Sequence, residues 1–248
     1  MGQGLIEEVV KWRRRGLSEP WLEDSFMAEL PLSALQRLER CAWLLNSSDH
    51  DVTGQRLAGE DLAPVLVVLT GAVKIFHARW DGPDVLVNVA GPGDVLNAEE
   101  VLTGSRTITR LEWNEHAHLM GVSHRKFREI LDRDEDIRHA LVRTMARRVQ
   151  ELTAQRGHIG RRVDQRLWAF LVQLARRHGM ARADGVVLQV GLTRPDLAAA
   201  IGASANSVDT AIVRLRKAGM VTTGYASMVL HEVPNEDELD RTFWHWSA

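Results

Sequence analysis

The apolar residues change their spacing along the chain, and each change predicts a different kind of structure. Between residues 51 and 121 they occur as short runs punctuated by glycines: Val65–Leu69, Val73–Phe76, Val85–Val89 and, less purely, Ala117–Val122. Strands of this length, with turn signals about every 8–12 residues, indicate an all-β roll, barrel or sandwich. The Asp81-Gly82 pair predicts a hairpin turn in this region, because glycine adopts a positive φ at little cost.

The segment before the β region is predicted to be helical. Its apolar side chains recur at near-helical spacing after Pro31, which suits a first helical turn: Leu35, Leu38, Trp43 and Leu44. The single cysteine, Cys41, is interpreted as a small buried side chain on this helix. One cysteine excludes an internal disulfide framework and a thiolate cage for zinc or an iron–sulfur cluster, and we predict no metal site.

After residue 123 the spacing becomes helical again. We expect a short helix over Ser123–Leu131 and a core helix over Val163–His178, whose apolar residues cover a wide face. Between them, a long helix of about 135–159 carries one narrow apolar stripe: Ile137, Leu141, Met145, Val149 and Leu152. A narrow stripe with charged flanks needs a partner, so we predict that these five residues form a homodimer seam. Packing on the chain's own β domain is the alternative.

Residues 190–231 carry the strongest local signal. Thr193-Arg194-Pro195-Asp196 has the composition of a helix start: an N-cap threonine, a proline in the first turn and a capping-box aspartate. Gly202 ends this short helix, and Ser204 caps a second helix that runs to about Ala218. Two short helices joined by a glycine-containing turn predict a helix-turn-helix, whose second helix fits the DNA major groove. An unrelated helical hairpin is the alternative.

Two features support DNA binding by this segment. Short strands at Met220–Thr223 and Ser227–His231 would add a β wing. Polar and basic residues of both helices are predicted to contact DNA: Arg194, Ser204, Asn206, Ser207, Thr210, Arg214 and Lys217. Asparagine can pair bidentately with adenine, and threonine can contact a thymine methyl group or a phosphate. Arg194, at the start of the first helix, is a candidate phosphate contact.

The net charge of −2 over 248 residues hides an asymmetry. Residues 1–133 hold 15 Lys and Arg against 20 Asp and Glu, whereas residues 134–248 hold 16 against 13. Within 138–182, eleven arginines face only Glu151 and Asp164. Such a local excess can supply phosphate contacts even in a slightly acidic chain, although a solvated helix face is the simpler interpretation of an isolated basic stretch.

Other classes of protein find little support in the sequence. The apolar runs are far shorter than the roughly 20 residues of a membrane helix, and the charged start does not resemble a secretory signal. We therefore expect a cytoplasmic protein without a membrane partner. The chain has no Walker-type phosphate loop, no metal-ligand spacing and no paired carboxylates with a plausible cleft, so we predict that it is not an enzyme.

Several segments together resemble the cyclic-AMP receptor protein/FNR family of bacterial transcription regulators. The resemblance covers about residues 51–231 in the family's order. The segments that carry it are Gly71-Ala72-Val73-Lys74, Gly91-Pro92-Gly93-Asp94-Val95-Leu96, Lys126-Phe127-Arg128, Met145-Ala146-Arg147-Arg148 and Leu192–Leu215.

The resemblance implies an α+β protein with three parts. Residues 1–133 would form a cyclic-nucleotide-binding-like β roll with an N-terminal extension over 1–30. Residues 134–160 would form the dimerisation helix and hinge, and 161–248 a winged helix-turn-helix domain with a C-terminal tail. The family acts as homodimers on near-palindromic double-stranded DNA, and RNA polymerase is a further candidate partner.

The predicted ligand pocket departs from the family pattern. The family uses a Gly-Glu pair for the ribose, an Arg-Ser pair for the cyclic phosphate and two hydroxyls of the long helix for the adenine. The corresponding positions here are Asn97-Ala98, with Glu99 one residue on, then Arg106-Thr107 and Leu152-Thr153. We therefore predict a degenerate pocket and do not expect cyclic AMP as a cofactor. A cyclic-AMP-responsive regulator remains an alternative.

The second helix of the helix-turn-helix also departs from the family. Its start carries Ala205, Asn206 and Thr210 where an Arg-Glu pair and a further arginine are typical, and Asp209 adds a negative charge. We expect an operator with fewer guanine contacts and more reliance on phosphates and DNA shape. The alternative from another class is a degenerate sensor that acts as an interaction module with weak DNA specificity.

Overall fold

A computed structural model describes residues 21–45, 63–107, 109–113, 117–158, 160–224, 227–235 and 238–239. The chain divides into two compact units: the first comprises residues up to 149 except 79–87, and the second comprises 79–87 and residues from 150. Most of the expected N-terminal extension and of the C-terminal tail lies outside the described residues. The domain boundaries near residues 133 and 160 stay predictions.

Seven strands of the described part of the chain form two sheets in the first unit and its border. They are β1 (Ala42–Leu45), β2 (Val65–Thr70), β3 (Val73–His77), β4 (Val85–Ala90), β5 (Val95–Leu96), β6 (Thr109–Trp113) and β7 (His118–Val122). The strand order is β1-β7-β2-β5 in one sheet and β4-β3-β6 in the other. Strand β1 pairs with β7, and β2 pairs with both β7 and β5; all three pairings are antiparallel. The predicted β region is therefore confirmed.

Strand β2 is apolar from Val65 to Leu69 because both of its faces are buried there. Val65 and Val67 belong to a core shared with helices, whereas Leu66 and Val68 belong to a second core among the strands. Since side chains alternate along a strand, a run without polar residues is what burial on both faces requires.

Among the described residues, four helices accompany these sheets: α1 (Leu32–Glu39), α2 (Ala98–Thr103), α3 (His124–Arg133) and α4 (Glu135–Arg156). The first part of α4 packs into the helix-side core, where Ile137 and Leu141 are fully buried and Met145 is partly buried. The prediction that Ile137 and Leu141 belong to a dimer seam is therefore wrong, because both side chains are already covered by their own unit. Val149 and Leu152 remain exposed.

Two local predictions near β1 are corrected. Trp43 and Leu44 lie in β1 rather than on a helix, because β1 pairs with β7 and places Trp43 opposite Gly121. A Cβ atom on Gly121 would lie 2.6 Å from the Trp43 ring, so this close approach depends on glycine. Cys41 is half-buried in the turn between α1 and β1.

The turn at Asp81-Gly82 is also corrected. Strands β3 and β4 are neighbours, but the connection runs from Ala78 to Asp84 and Gly82 does not have a positive φ. The connection is longer than the tight two-residue turn that the Asp-Gly pair suggests.

Charged contacts fix α4 against the segment that precedes α1. The Glu29 carboxylate accepts hydrogen bonds from Arg147 Nη1 at 2.7 Å and from Arg143 Nη1 at 3.0 Å. The hydrogen bond from Arg147, more than the opposing effect of burial, holds the pKa of Glu29 below its ordinary value of 4.5. A second charged contact joins Arg37 of α1 to Asp134, which lies between α3 and α4, and the hydrogen bond from Arg37 lowers the pKa of that carboxyl group.

In the second unit, the elements bounded within the described residues are three helices and four strands: α5 (Val163–His178), β8 (Met180–Arg182), β9 (Gly185–Leu188), α6 (Arg194–Ile201), α7 (Ala205–Lys217), β10 (Val221–Gly224) and β11 (Ser227–Leu230). The strand order is β10-β11-β9-β8. Helix α5 packs against both α6 and α7. The predicted helix-turn-helix and its wing are confirmed, and β8 and β9 extend the wing into a four-stranded sheet.

The lowered pKa of Glu29 predicts how its contribution to stability depends on pH. The unfolded chain binds more protons than the folded chain just below pH 4.5, so stabilisation by Glu29 is complete above that pH and decreases as pH falls. Glu29→Gln should lower the thermal midpoint at pH 7 and lower it by less at pH 3.5. Thermal unfolding of the full chain measures this, with Glu23→Gln, an exposed residue of the same segment, as control. A deficit of equal size at both pH values would contradict the prediction.

Candidate functional site

The start of α6 is fixed by a reciprocal cap. Thr193 Oγ1 accepts a hydrogen bond from the Asp196 N–H at 3.3 Å, and the Asp196 carboxylate accepts one from the Thr193 N–H at 2.8 Å. This is the capping box that the sequence predicts. Because both N-terminal donors are satisfied, α6 begins at a defined residue.

A turn of three residues separates α6 from α7. Gly202 ends α6 with a φ of +61°, a conformation that glycine adopts without strain. Ser204 then caps α7, its Oγ accepting a hydrogen bond from the Ser207 N–H at 3.2 Å. The turn therefore has defined geometry at both ends.

Helix α7 has an apolar inner face and a polar outer face. Val208, Ala211, Ile212 and Leu215 are buried, as the sequence predicts. The candidate DNA-contacting residues lie on the other faces: Ser204, Asn206, Thr210, Arg214 and Lys217 are exposed, and Ser207 is half-buried. The Thr210 hydroxyl donates to the Asn206 carbonyl at 3.0 Å, so its proton is used within the helix.

Carboxylates hold two of the candidate arginines. Arg194 Nε lies 3.1 Å from Asp209 Oδ1, which joins the start of α6 to the outer side of α7. Arg214 Nη1 lies 3.4 Å from Asp164 Oδ2, and Arg162 Nη2 lies 2.8 Å from the same oxygen. The Asp164 side chain is only 4% exposed. Asp164 thus positions Arg214, a role that the sequence did not indicate.

The predicted ligand-pocket residues fall into two groups. Asn97, Ala98, Glu99 and Thr107 lie around α2, whereas Leu152 and Thr153 are exposed on α4 in the other unit. Asn97 is buried with a φ of +60°, and its Nδ2 donates to the Pro64 carbonyl at 3.1 Å. Glu99 Oε2 lies 3.7 Å from Arg148 Nη1. Arg106 is exposed.

Glu100 is the glutamate that contacts Thr107, although the sequence pointed instead to Glu99. Its Oε1 accepts hydrogen bonds from the Thr107 N–H at 2.9 Å and from Thr107 Oγ1 at 2.7 Å. Glu100 is 4% exposed. No signal in the sequence separates the two glutamates, since both lie about equally far around the helix from the buried Ala98 and Val101.

The two units match two known domain families in the expected order. The cyclic nucleotide-binding domain matches residues 54–134, and the Crp-like helix-turn-helix domain matches residues 165–241. The chain belongs to the Crp/Fnr family of transcription regulators. The resemblance stated from the sequence is confirmed. This Crp/Fnr regulator has an α+β fold in which the cyclic-nucleotide-binding β roll precedes the winged helix-turn-helix DNA-binding domain.

Curated relatives are distant in sequence, but their alignments cover most of the chain. The "cAMP-activated global transcriptional regulator CRP" of Haemophilus influenzae is 22% identical over 177 residues, covering 70% of this chain and 78% of that protein. The "CRP-like cAMP-activated global transcriptional regulator" of Mycobacterium tuberculosis is 26% identical, with the same coverage. The solved structure of the c-di-GMP-responsive global regulator CLP of Xanthomonas campestris superposes with a TM-score of 0.65 at 16% identity. That superposition covers 82% of this chain and all of CLP.

The described residues show neither a membrane-spanning helix nor a cluster of metal ligands. None of the helices in the described part of the chain combines the length and apolar character that a bilayer crossing needs. Among the same residues, no group of three or more His, Cys, Asp or Glu side chains could hold a metal ion.

The capping box generates a test of how α6 is held. Thr193→Ala removes the acceptor of the Asp196 N–H and should destabilise the second unit by about 1 kcal/mol. Thr193→Ser keeps the hydroxyl and should remain close to the wild-type stability. Chemical denaturation of the three proteins measures the difference. An alanine variant as stable as the serine variant would show that the cap contributes nothing.

Proposed function

We propose that this Crp/Fnr regulator binds a near-palindromic operator as a homodimer, with α7 in the major groove, and that it does so without cyclic AMP. The two-sided surface of α7 is the observation that carries the DNA-binding mode. Its apolar side is buried, and its outer side presents Asn206, Arg214 and Lys217. Helix-turn-helix dimers contact half-sites about one helical turn apart, so two copies of α7 would contact successive major grooves.

The exposed part of α4 supports the homodimer. Val142 is 58% exposed, Val149 63% and Leu152 49%. Together with the half-buried Met145 they follow one another at steps of three and four residues, which is the spacing of a two-helix coiled-coil seam. A second copy of the same helix offers a matching seam. Relative to the sequence prediction, the proposed seam gains Val142 and loses Ile137 and Leu141.

The pocket supports a response that does not depend on cyclic AMP. The named relatives are cAMP-activated proteins, but here Asn97 and Ala98 supply no carboxylate for a ribose, and Thr107 already donates to Glu100. The residues present therefore do not fit a cyclic nucleotide. Titration with cyclic AMP and cyclic GMP tests this, and a micromolar dissociation constant would restore the alternative of a cyclic-AMP-responsive regulator.

Further proposals follow from the same assignment. The protein would act in the cytoplasm, where its DNA is, with RNA polymerase as a candidate partner and without catalysing a reaction.

The alternative of an interaction module with weak DNA specificity is supported by Asp209, whose negative charge lies beside the candidate DNA contacts. A large ratio of specific to non-specific DNA affinity would exclude that alternative, whereas a ratio near one would support it.

The seam predicts the oligomeric state of one variant. Val149→Glu places a charge at the centre of the exposed stripe and should convert the dimer into a monomer, because two copies would bury like charges together. Sedimentation velocity measures the mass. Operator binding should weaken when the dimer is lost. Leu32→Glu is the control. Leu32, the first residue of α1, is likewise an exposed apolar residue (57%), but it lies outside the proposed seam. A dimeric Val149→Glu variant would contradict the proposed seam.

The outer face of α7 predicts two different effects on DNA binding. Asn206→Ala should reduce discrimination at one base pair by about 1–3 kcal/mol, because asparagine can pair with adenine through two hydrogen bonds. Lys217→Ala should instead weaken binding to all sequences and lower the salt slope by about one. Binding-site selection followed by salt titration separates the two effects. Lys126→Ala, an exposed lysine of α3, is the control.

The same selection tests the operator. If it returned the family's usual guanine-containing half-site, the proposed reduction in guanine contacts would be wrong.

A further inference from the structure

The carboxylate of Glu100 accepts two hydrogen bonds from the same residue, Thr107. Two donors of one residue, the N–H and the hydroxyl of Thr107, converge on the same carboxylate oxygen at 2.9 and 2.7 Å. Convergence of a main-chain N–H and a hydroxyl on one charged oxygen is the arrangement by which proteins bind carboxylate and phosphate oxygens. We call these two donors the Thr107 cradle.

Burial makes this contact important for Glu100. The residue is 4% exposed, and its second oxygen, Oε2, is buried without a hydrogen-bond partner among the described residues. A carboxylate removed from water needs compensating donors, and the Thr107 cradle supplies those of Oε1. The Glu100 charge is therefore held in place by Thr107 and would oppose the entry of a second anion.

Helix α2 holds the backbone of Glu100 independently of this contact. Ala98 and Val101 are buried in the helix-side core, and Arg128 Nη2 donates to the Val101 carbonyl at 2.7 Å. The buried Asn97 anchors the start of the helix through Pro64. A change of the Glu100 rotamer alone would thus empty the cradle, without movement of α2.

We propose that Glu100 is a built-in substitute for an anionic ligand: it occupies the Thr107 cradle, and a phosphate-bearing ligand binds there only when Glu100 is withdrawn or replaced. This inference rests on the proposed cyclic-AMP-independent function and gives it a physical cause. The pocket is then closed by the chain's own charge, in addition to lacking a ribose-binding carboxylate.

Calorimetric titration of the full-length protein with cyclic AMP, cyclic GMP and inorganic phosphate tests the proposal. Wild type should give no binding up to millimolar concentrations. Glu100→Ala, which empties the cradle and removes the charge, should bind at least one of the three with a dissociation constant of about 0.1 mM or lower, which is about tenfold below the wild-type limit. Glu100→Gln, which keeps the shape and removes only the charge, should lie between them. Glu112→Gln removes an exposed charge from the same β roll and should behave as wild type.

Two results would overturn the proposal. One is a folded Glu100→Ala protein that binds none of the three anions more tightly than wild type does. The other is a wild-type protein that binds them as tightly as the variant.

A thermal measurement keeps the proposal testable if Glu100→Ala does not fold well enough for titration. In the Glu100→Gln background the charge that needs the cradle is gone. Thr107→Val should therefore lower the midpoint strongly in wild type and much less in Glu100→Gln. Equal shifts in both backgrounds would show that Thr107 does not hold the Glu100 charge, and would overturn the proposal.

Operator affinity separates this proposal from the proposed function. A wild-type protein that binds a specific operator, together with a Glu100→Ala variant that gains no anion binding, overturns only the role of Glu100. A wild-type protein without specific DNA binding, together with a variant that gains anion binding, overturns only the proposed DNA-binding function.

Discussion

Strand β2 must be covered on both faces, and the arrangement of the first unit follows from this requirement. Val65 and Val67 project into the core that α1, α3 and α4 help to form, whereas Leu66 and Val68 project into the core among the strands. The sheet that contains β2 completes neither core by itself: helices complete the first core, and strands of the other sheet complete the second. The helix-side core takes in the first part of α4, so this segment is used for the chain's own stability before any second copy is available.

That use of α4 explains why the helical spacing of its apolar stripe is predicted correctly, whereas the prediction that the whole stripe lies exposed at a dimer seam is wrong. Ile137 and Leu152 follow the same helical spacing, and spacing alone does not reveal what covers each one. The structure divides the stripe: its early positions belong to the core, and its later positions, joined by Val142, remain exposed. Long-range packing, which no local window contains, decides between the two outcomes.

The elements that could be predicted from sequence are those with a local cause. Helix α5 has the predicted bounds because a broad apolar face lies between two glycine-containing segments, and α6 and α7 begin where Thr193 and Ser204 can cap them. Strand β1 was predicted as helix because its identity comes from pairing with β7. Strand β6 escaped prediction, although its burial alternates, because Arg110 and Glu112 interrupt the apolar run.

The candidate site shows the same division. The outward residues of α7 follow from helical spacing, whereas the partners of its arginines do not. Asp164 lies 50 residues from Arg214 along the chain, and only the packing of α5 on α7 brings the two together. These carboxylates offset part of the positive charge of the surface that we propose to contact DNA. A surface balanced in this way relies less on general attraction to phosphates and more on the placement of individual side chains.

The three-residue turn at Gly202 has a thermodynamic consequence for recognition. With caps on both sides and both helices packed on α5, little backbone freedom remains for DNA to remove. Segments that fold only on contact lose conformational entropy at that moment and bind more weakly for the same buried area. Here that entropy is lost when the protein folds, so the binding energy of each proposed base contact would be available for discriminating between DNA sequences.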